Sequence, residues 1–219
     1  GAGLMGHGIA QLCSMAGYKV WLRDIKQEFI DSGMEKIKWS LSKLVQKQKI
    51  SEADANAALE RISTTLDLKE AAENADFVIE AIPERLDLKQ ETFKELDSIC
   101  PSETILASNT SALPITEIAK PTNRPDKVVG MHFFNPPQIM RLVEVIYGEK
   151  TSDETAQVTY ELAKKLGKDP VYCRKDVAGF IANRVMMPPG IFFAWLISEG
   201  IFKPEEIDSV LHLRAGQPM

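Results

Sequence analysis

The chain has 219 residues, with 26 Lys and Arg against 31 Asp and Glu, for a net charge of −5. That length can bury a sizeable core, as one large domain or one domain plus part of a second, and the mild acidity without any basic run or basic–aromatic interleaving excludes a nucleic-acid footprint. Cys13, Cys100 and Cys173 lie too far apart for a zinc site or a disulfide framework, and neither a run of ~18 apolar residues nor a basic-then-apolar leader is seen, so the expectation is a cytoplasmic protein with no metal and no membrane partner.

Short apolar runs alternate with longer amphipathic ones, the rhythm of βαβ units and of an α/β fold with a mainly parallel sheet. A helix is expected over 4–15, closed by Gly17, then a strand over 18–22 that leads into Arg23-Asp24. A lysine-rich helix over 28–49 and a second one opened by the cap at 51–54 make a long crossover. Strands follow at 61–65 and 75–82, the second stopped by Pro83, then a helix over 86–99, a strand over 104–108 and a short helix over 115–119. Strands at 127–134 and 142–147 are joined by a short, proline-rich connection and read as an antiparallel hairpin. A helix over 153–166 and a strand over 170–173 complete the sheet. Past Lys175 the character changes to an apolar helical run over 180–196, broken at Pro188-Pro189-Gly190, and a helix over 204–211.

Gly1, Gly3 and Gly6 match G-x-G-x-x-G, whose glycines allow a tight turn, close approach of a pyrophosphate to backbone N–H groups, and tight helix–strand packing. The helix that follows supplies a favourable N-terminal field for phosphates. Asp24 lies close to the ~20-residue offset at which an acid binds the adenosine ribose. Its carboxylate favours NAD over NADP, while Arg23 offers a partner for a 2′-phosphate and keeps NADP open. A plain loop and a solvated strand-end acid are the bland alternatives. The expected organisation is therefore a Rossmann-type NAD-binding domain over 1–175, without the first strand that should precede Gly1, and the start of an all-α domain over 176–219.

Oxidising an alcohol by hydride transfer needs a base for the hydroxyl proton, and histidine suits neutral pH. His7 falls in the first helix and His212 near the end, whereas His132 closes an apolar strand. In an antiparallel hairpin about 135–141, His132 and Glu144 lie opposite each other and share a face. A carboxylate there fixes the imidazole tautomer and stabilises its charged form. The alternative for Glu144 is an outward polar residue on an edge strand.

With these residues in view, the chain resembles the NAD-dependent 3-hydroxyacyl-CoA dehydrogenases, in particular their 3-hydroxybutyryl-CoA branch, through GAGLMGHGIA, VIEAIPE, ASNTSAL, HFFNPP, LVEVI, GFIANR and AGQPM. The resemblance implies that Gly1, Gly3 and Gly6 cradle pyrophosphate, that Asp24 holds the ribose, and that Glu84, Lys89, Ser111 and Asn135 line the nicotinamide side. It also implies His132 as proton acceptor with Glu144 as its partner, Ser111 and Asn183 on the substrate oxygens, and Ser40 and Lys47 on the coenzyme A moiety. A solvated face for Lys47, helix capping for Ser111 and turn chemistry for Asn135 are the competing readings. Further implications are an acyl-CoA substrate of fatty acid metabolism and β-oxidation, a homodimer formed through the C-terminal helical domain, and a fused or associated enoyl-CoA hydratase. Another β-hydroxyacid dehydrogenase with a catalytic lysine, or a catalytically silent crystallin-like relative, are the rival readings.

Overall fold

A computed structural model describes residues 1–215, with the side chains of 214 and 215 left out; the end of the AGQPM motif, 216–219, lies outside the described residues. The chain packs as two compact units, one spanning Gly1–Ala178 and one beginning at Gly179.

In the first unit, α1 (Gly6–Met15) leaves the glycine turn and ends where Gly17 takes a φ of 93°, a conformation that strains any residue with a Cβ. Strand β1 (Val20–Arg23), helices α2 (Gln27–Gln46) and α3 (Glu52–Glu60), and strand β2 (Ile62–Thr65) follow. The start of α3 is set by a capping box: Ser51 Oγ accepts from Asp54 N at 3.0 Å, and the Asp54 carboxylate accepts from Ser51 N at 3.2 Å. A one-turn helix, α4 (Leu68–Ala72), capped by Asp67, has no counterpart in the sequence reading, because five residues are too few to show a helical period.

Next come β3 (Phe77–Glu80), α5 (Leu86–Ile99), β4 (Ile105–Ser108), α6 (Ile115–Ala119), a 3-10 turn at Pro125–Lys127 and β5 (Val128–Phe133). Strand β6 (Leu142–Ile146), helix α7 (Asp153–Lys165) and strand β7 (Asp169–Cys173) complete the unit. Strands β3 to β7 form one sheet in chain order, parallel at every junction except the antiparallel β5–β6 hairpin. β1 and β2 pair in parallel as a separate sheet. The fold is thus the expected α/β class with a mainly parallel sheet, carried as two sheets rather than one.

Helix α1 belongs to two apolar cores. Ile9 packs with Val129, Met131, Phe133, Val143 and Val145 of the hairpin, together with Ala156 and Ala163 of α7. One residue on, Ala10 packs with Leu22, Ile30, Ile37, Leu41 and Ile62. Truncating a residue such as the fully buried Ile37 to alanine would cost about 2–5 kcal/mol. Anchored on both sides, α1 holds the glycine turn rigidly against the sheet.

Two further contacts fix the hairpin tip. A Cβ at Gly8 of α1 would lie 2.6 Å from Pro137 Cγ and 2.7 Å from the Gln138 side chain, so the connection rests directly on the α1 backbone. From below, the buried Lys168 ammonium donates to the carbonyls of Pro137 and Met140, and burial pushes its pKa down.

The second unit contains α8 (Ala182–Ser198) and α9 (Pro204–Ala215). α8 runs through Pro188 and Pro189, against the expected break. Each ring removes its own N–H donor and crowds one carbonyl, yet the turns on either side still close, as in Val185 N to Ile181 O at 2.9 Å and Glu199 N to Trp195 O at 3.0 Å.

Candidate active site

The strands of a parallel sheet end together, and ligands of such sheets bind outside their carboxyl ends. Here that edge carries Glu80 at the end of β3, Ser108 at the end of β4, and His132 near the end of β5, with Glu80 and Ser108 in register. The glycine turn abuts the same edge: a Cβ on Gly1 would sit 2.5 Å from Ala81 O.

Within the turn the three glycines differ. A Cβ on Gly6 would fall 1.7 Å from Gly1 O, so the turn closes only with glycine there, whereas a Cβ on Gly3 meets nothing within 4 Å. Gly3 therefore faces open space, and its lack of a side chain is demanded by no protein atom. α1 begins with neither a side-chain cap nor an acidic residue in its first turn, so no side chain of α1 itself occupies the anion-favouring N-terminus. Asp24 accepts from Ala2 N at 2.6 Å through Oδ2 and from Ile25 N at 2.7 Å through Oδ1, which aligns the acid beside the turn. These residues fit the adenosine and pyrophosphate of a dinucleotide.

The hairpin pairs as expected, with His132 opposite Glu144. His132 Nδ1 lies 2.8 Å from Glu144 Oε2; the histidine is nearly buried and the carboxylate wholly so. A carboxylate only accepts, so Nδ1 carries the proton and the lone pair of the neutral imidazole sits on Nε2. The Phe134 ring lies 4.5 Å from the imidazole, centroid to centroid.

A second polar group joins the end of β3, the first turns of α5 and the loops that follow β3 and β4. Lys89 Nζ, fully buried, contacts Glu80 Oε1 at 2.7 Å and Glu84 Oε2 at 3.5 Å. Glu84 Oε1 accepts from Thr110 Oγ1 at 2.5 Å, Ser111 N at 2.9 Å and Ala112 N at 3.1 Å. Partial burial opposes the charge of Glu84, but these hydrogen bonds and the nearby Lys89 ammonium outweigh it and hold the carboxyl below its usual value. Glu84, Lys89 and Ser111 are thereby brought together. Asn135 is exposed at the hairpin tip, after the main chain of Phe133 has donated to Asn109 Oδ1 at 2.8 Å.

Ser40, half-buried, and Lys47, exposed at the C-cap, lie on α2 about two turns apart and approach none of these groups through a hydrogen bond or ion pair among the described residues. Asn183 occupies the first turn of α8 in the second unit and is half-buried rather than enclosed. Glu80 and Asn109 escaped the sequence reading. An acid inside the apolar run Phe77–Ile82, nine residues before a lysine, was the available signal for Glu80.

A glycine turn on a helix N-terminus with an acid aligned beside it, and a buried His–Glu pair at the carboxyl edge of the five-stranded sheet that the turn abuts, define a nicotinamide-dependent dehydrogenase. Residues 1–177 match the family model described as 3-hydroxyacyl-CoA dehydrogenase, NAD binding domain, and residues 179–219 match that of the 3-hydroxyacyl-CoA dehydrogenase C-terminal domain. The chain belongs to the 3-hydroxyacyl-CoA dehydrogenase family, and its cofactor is NAD. It is 48% identical over 219 residues to a probable 3-hydroxybutyryl-CoA dehydrogenase of Bacillus subtilis, covering all of this chain and 76% of that protein. The crystal structure of (S)-3-hydroxybutyryl-CoA dehydrogenase from Ralstonia eutropha superposes with a TM-score of 0.94 at 42% identity, over 100% of this chain and 76% of the other. The fatty acid oxidation complex subunit alpha of Idiomarina loihiensis is 41% identical over the whole chain, which covers 30% of that larger protein. No described helix is long and apolar enough to cross a membrane, and no described cluster of His, Cys, Asp or Glu is suited to a metal ion.

Proposed function

We propose that the protein catalyses the reversible NAD-dependent oxidation of (S)-3-hydroxyacyl-CoA to 3-ketoacyl-CoA, with 3-hydroxybutyryl-CoA and acetoacetyl-CoA as the preferred pair. The observation that carries this reading is the buried His132–Glu144 contact at 2.8 Å, set on the sheet edge that also bears the glycine turn. NAD supplies the hydride acceptor. His132 Nε2 takes the proton of the 3-hydroxyl group as the C–H bond breaks. Glu144 keeps Nδ1–H in place and balances the imidazolium that forms: before proton uptake the pair holds one buried negative charge, afterwards it is neutral.

Gly1, Gly3, Gly6 and Asp24 hold the adenosine and pyrophosphate, and Glu84, Lys89, Ser111 and Asn135 the nicotinamide side. Ser111 and Asn183 contact the substrate oxygens. Ser40 and Lys47 meet the coenzyme A moiety on α2, where cations suit its phosphates. We further infer a cytoplasmic homodimer acting in fatty acid oxidation, with an enoyl-CoA hydratase as neighbour or fusion partner; that a relative is a larger subunit of a fatty acid oxidation complex supports association with further activities. The deciding experiment follows NADH absorbance with acetoacetyl-CoA and a series of longer 3-ketoacyl-CoA thioesters, comparing NADH with NADPH. Turnover fastest with the four-carbon thioester and NADH supports the reading, and none with any thioester removes it.

A further inference from the structure

The group around Lys89 holds two carboxylates and one ammonium, and the charges are unevenly placed. Glu80 is enclosed, with its side chain 2% exposed, and all its neighbours are donors: Lys89 Nζ at 2.7 Å, Ile82 N at 2.6 Å and Ser108 Oγ at 2.7 Å. Lys89 also donates to Ile82 O at 3.4 Å and lies farther, at 3.5 Å, from Glu84. Glu84 is 42% exposed at the edge of the sheet.

An ammonium shared between two carboxylates cannot neutralise both. From this geometry we infer that Glu80 is a positioning residue which commits Lys89 to the interior, so that the uncancelled negative charge resides on Glu84 and favours the cationic nicotinamide of NAD+ over the neutral one of NADH. The inference rests on the reading that places Glu84 on the nicotinamide side. The depressed pKa of Glu84 fits this role, since it keeps the group charged. Without the Glu80 charge, Lys89 turns to its remaining carboxylate and the net charge of the group rises from −1 to 0.

Glu80→Gln tests this, because glutamine has the same shape and can still accept from Lys89 and Ile82 N while exchanging a hydrogen bond with Ser108. Dissociation constants for NADH, by fluorescence titration, and for NAD+, by displacement of NADH, are measured on the intact protein. The NAD+ constant should rise about three- to tenfold relative to that of NADH, as expected for losing one partly screened charge near the ring. The double variant Glu80→Gln with Lys89→Met removes the buried pair together and restores the net charge to −1, so it should return the ratio towards wild type, even if Glu80→Gln alone folds poorly. Equal changes in both constants, an unchanged ratio in the single variant, or a double variant whose ratio stays as high as in Glu80→Gln would overturn the inference. Glu84→Gln separates the two levels: a shifted ratio there with none in Glu80→Gln refutes the role of Glu80 alone, and no shift in either also refutes the placement of Glu84.

Discussion

Replacing Glu144 by glutamine probes the proton relay without changing its shape. The amide oxygen can still accept from His132 Nδ1 at the 2.8 Å contact, so the ring orientation survives and only the charge is lost. With charge centres about 4 Å apart and an effective dielectric near 20, the carboxylate stabilises a fully formed imidazolium by about 4 kcal/mol. The amide dipole recovers part of this, leaving about 3 kcal/mol, or about 10²-fold in kcat. The assay is steady-state reduction of acetoacetyl-CoA followed by NADH absorbance, with NADH affinity titrated separately. A fall in kcat of about 10²–10³-fold at unchanged NADH affinity is expected. A kcat within threefold of wild type would refute the argument, and a loss of NADH affinity equal to the loss of kcat would show Glu144 to be structural.

His132→Ala should lower kcat by about 10²–10⁴-fold and leave NADH affinity nearly intact in the same two measurements. The glycines of the turn should separate cleanly. Gly6→Ala, whose Cβ collides with Gly1 O, should cost at least about 3 kcal/mol of stability in a thermal melt, whereas Gly3→Ala should keep the melting temperature and weaken NADH about tenfold, because its methyl enters the space for the pyrophosphate. Far from the site, burial opposes the charge of Asp97, but the Asn123 main-chain N–H, Arg124 and the Asn123 amide outweigh it and depress its pKa. A depressed carboxylate stabilises the fold above its unfolded value near 3.9 and loses that contribution as pH falls through the folded value. Asp97→Asn should therefore melt about 4–8 °C lower at pH 7, for about 2 kcal/mol, and the gap to wild type should narrow on acidification below pH 4.

Elements set by local rules were legible in the sequence: α5 follows from apolar periodicity, and α3 from its Ser51 box. The meeting of His132 with Glu144 was also legible, since strand alternation and a short connection leave one register that faces both inward. What escaped depends on tertiary partners. Lys168 binds two main-chain carbonyls of a loop about 30 residues away, and Glu80 is surrounded by donors from β4 and α5; no sequence pattern encodes either. The prolines of α8 misled for the opposite reason, because a local rule for ending helices yielded to the bonded turns on both sides.

Gly8 makes the distance between hydride acceptor and proton acceptor adjustable by one atom. The helix that presents the phosphate turn and the connection that follows the base touch there, with no side chain between backbone and proline ring. A single methyl would act as a shim, spreading the two halves of the reaction centre by a fraction of an ångström while removing none of the reacting groups. The hydrogen isotope effect on transfer, and its variation with temperature, would register that spacing directly, which makes this position a natural gauge of how tightly the enzyme compresses its reactants.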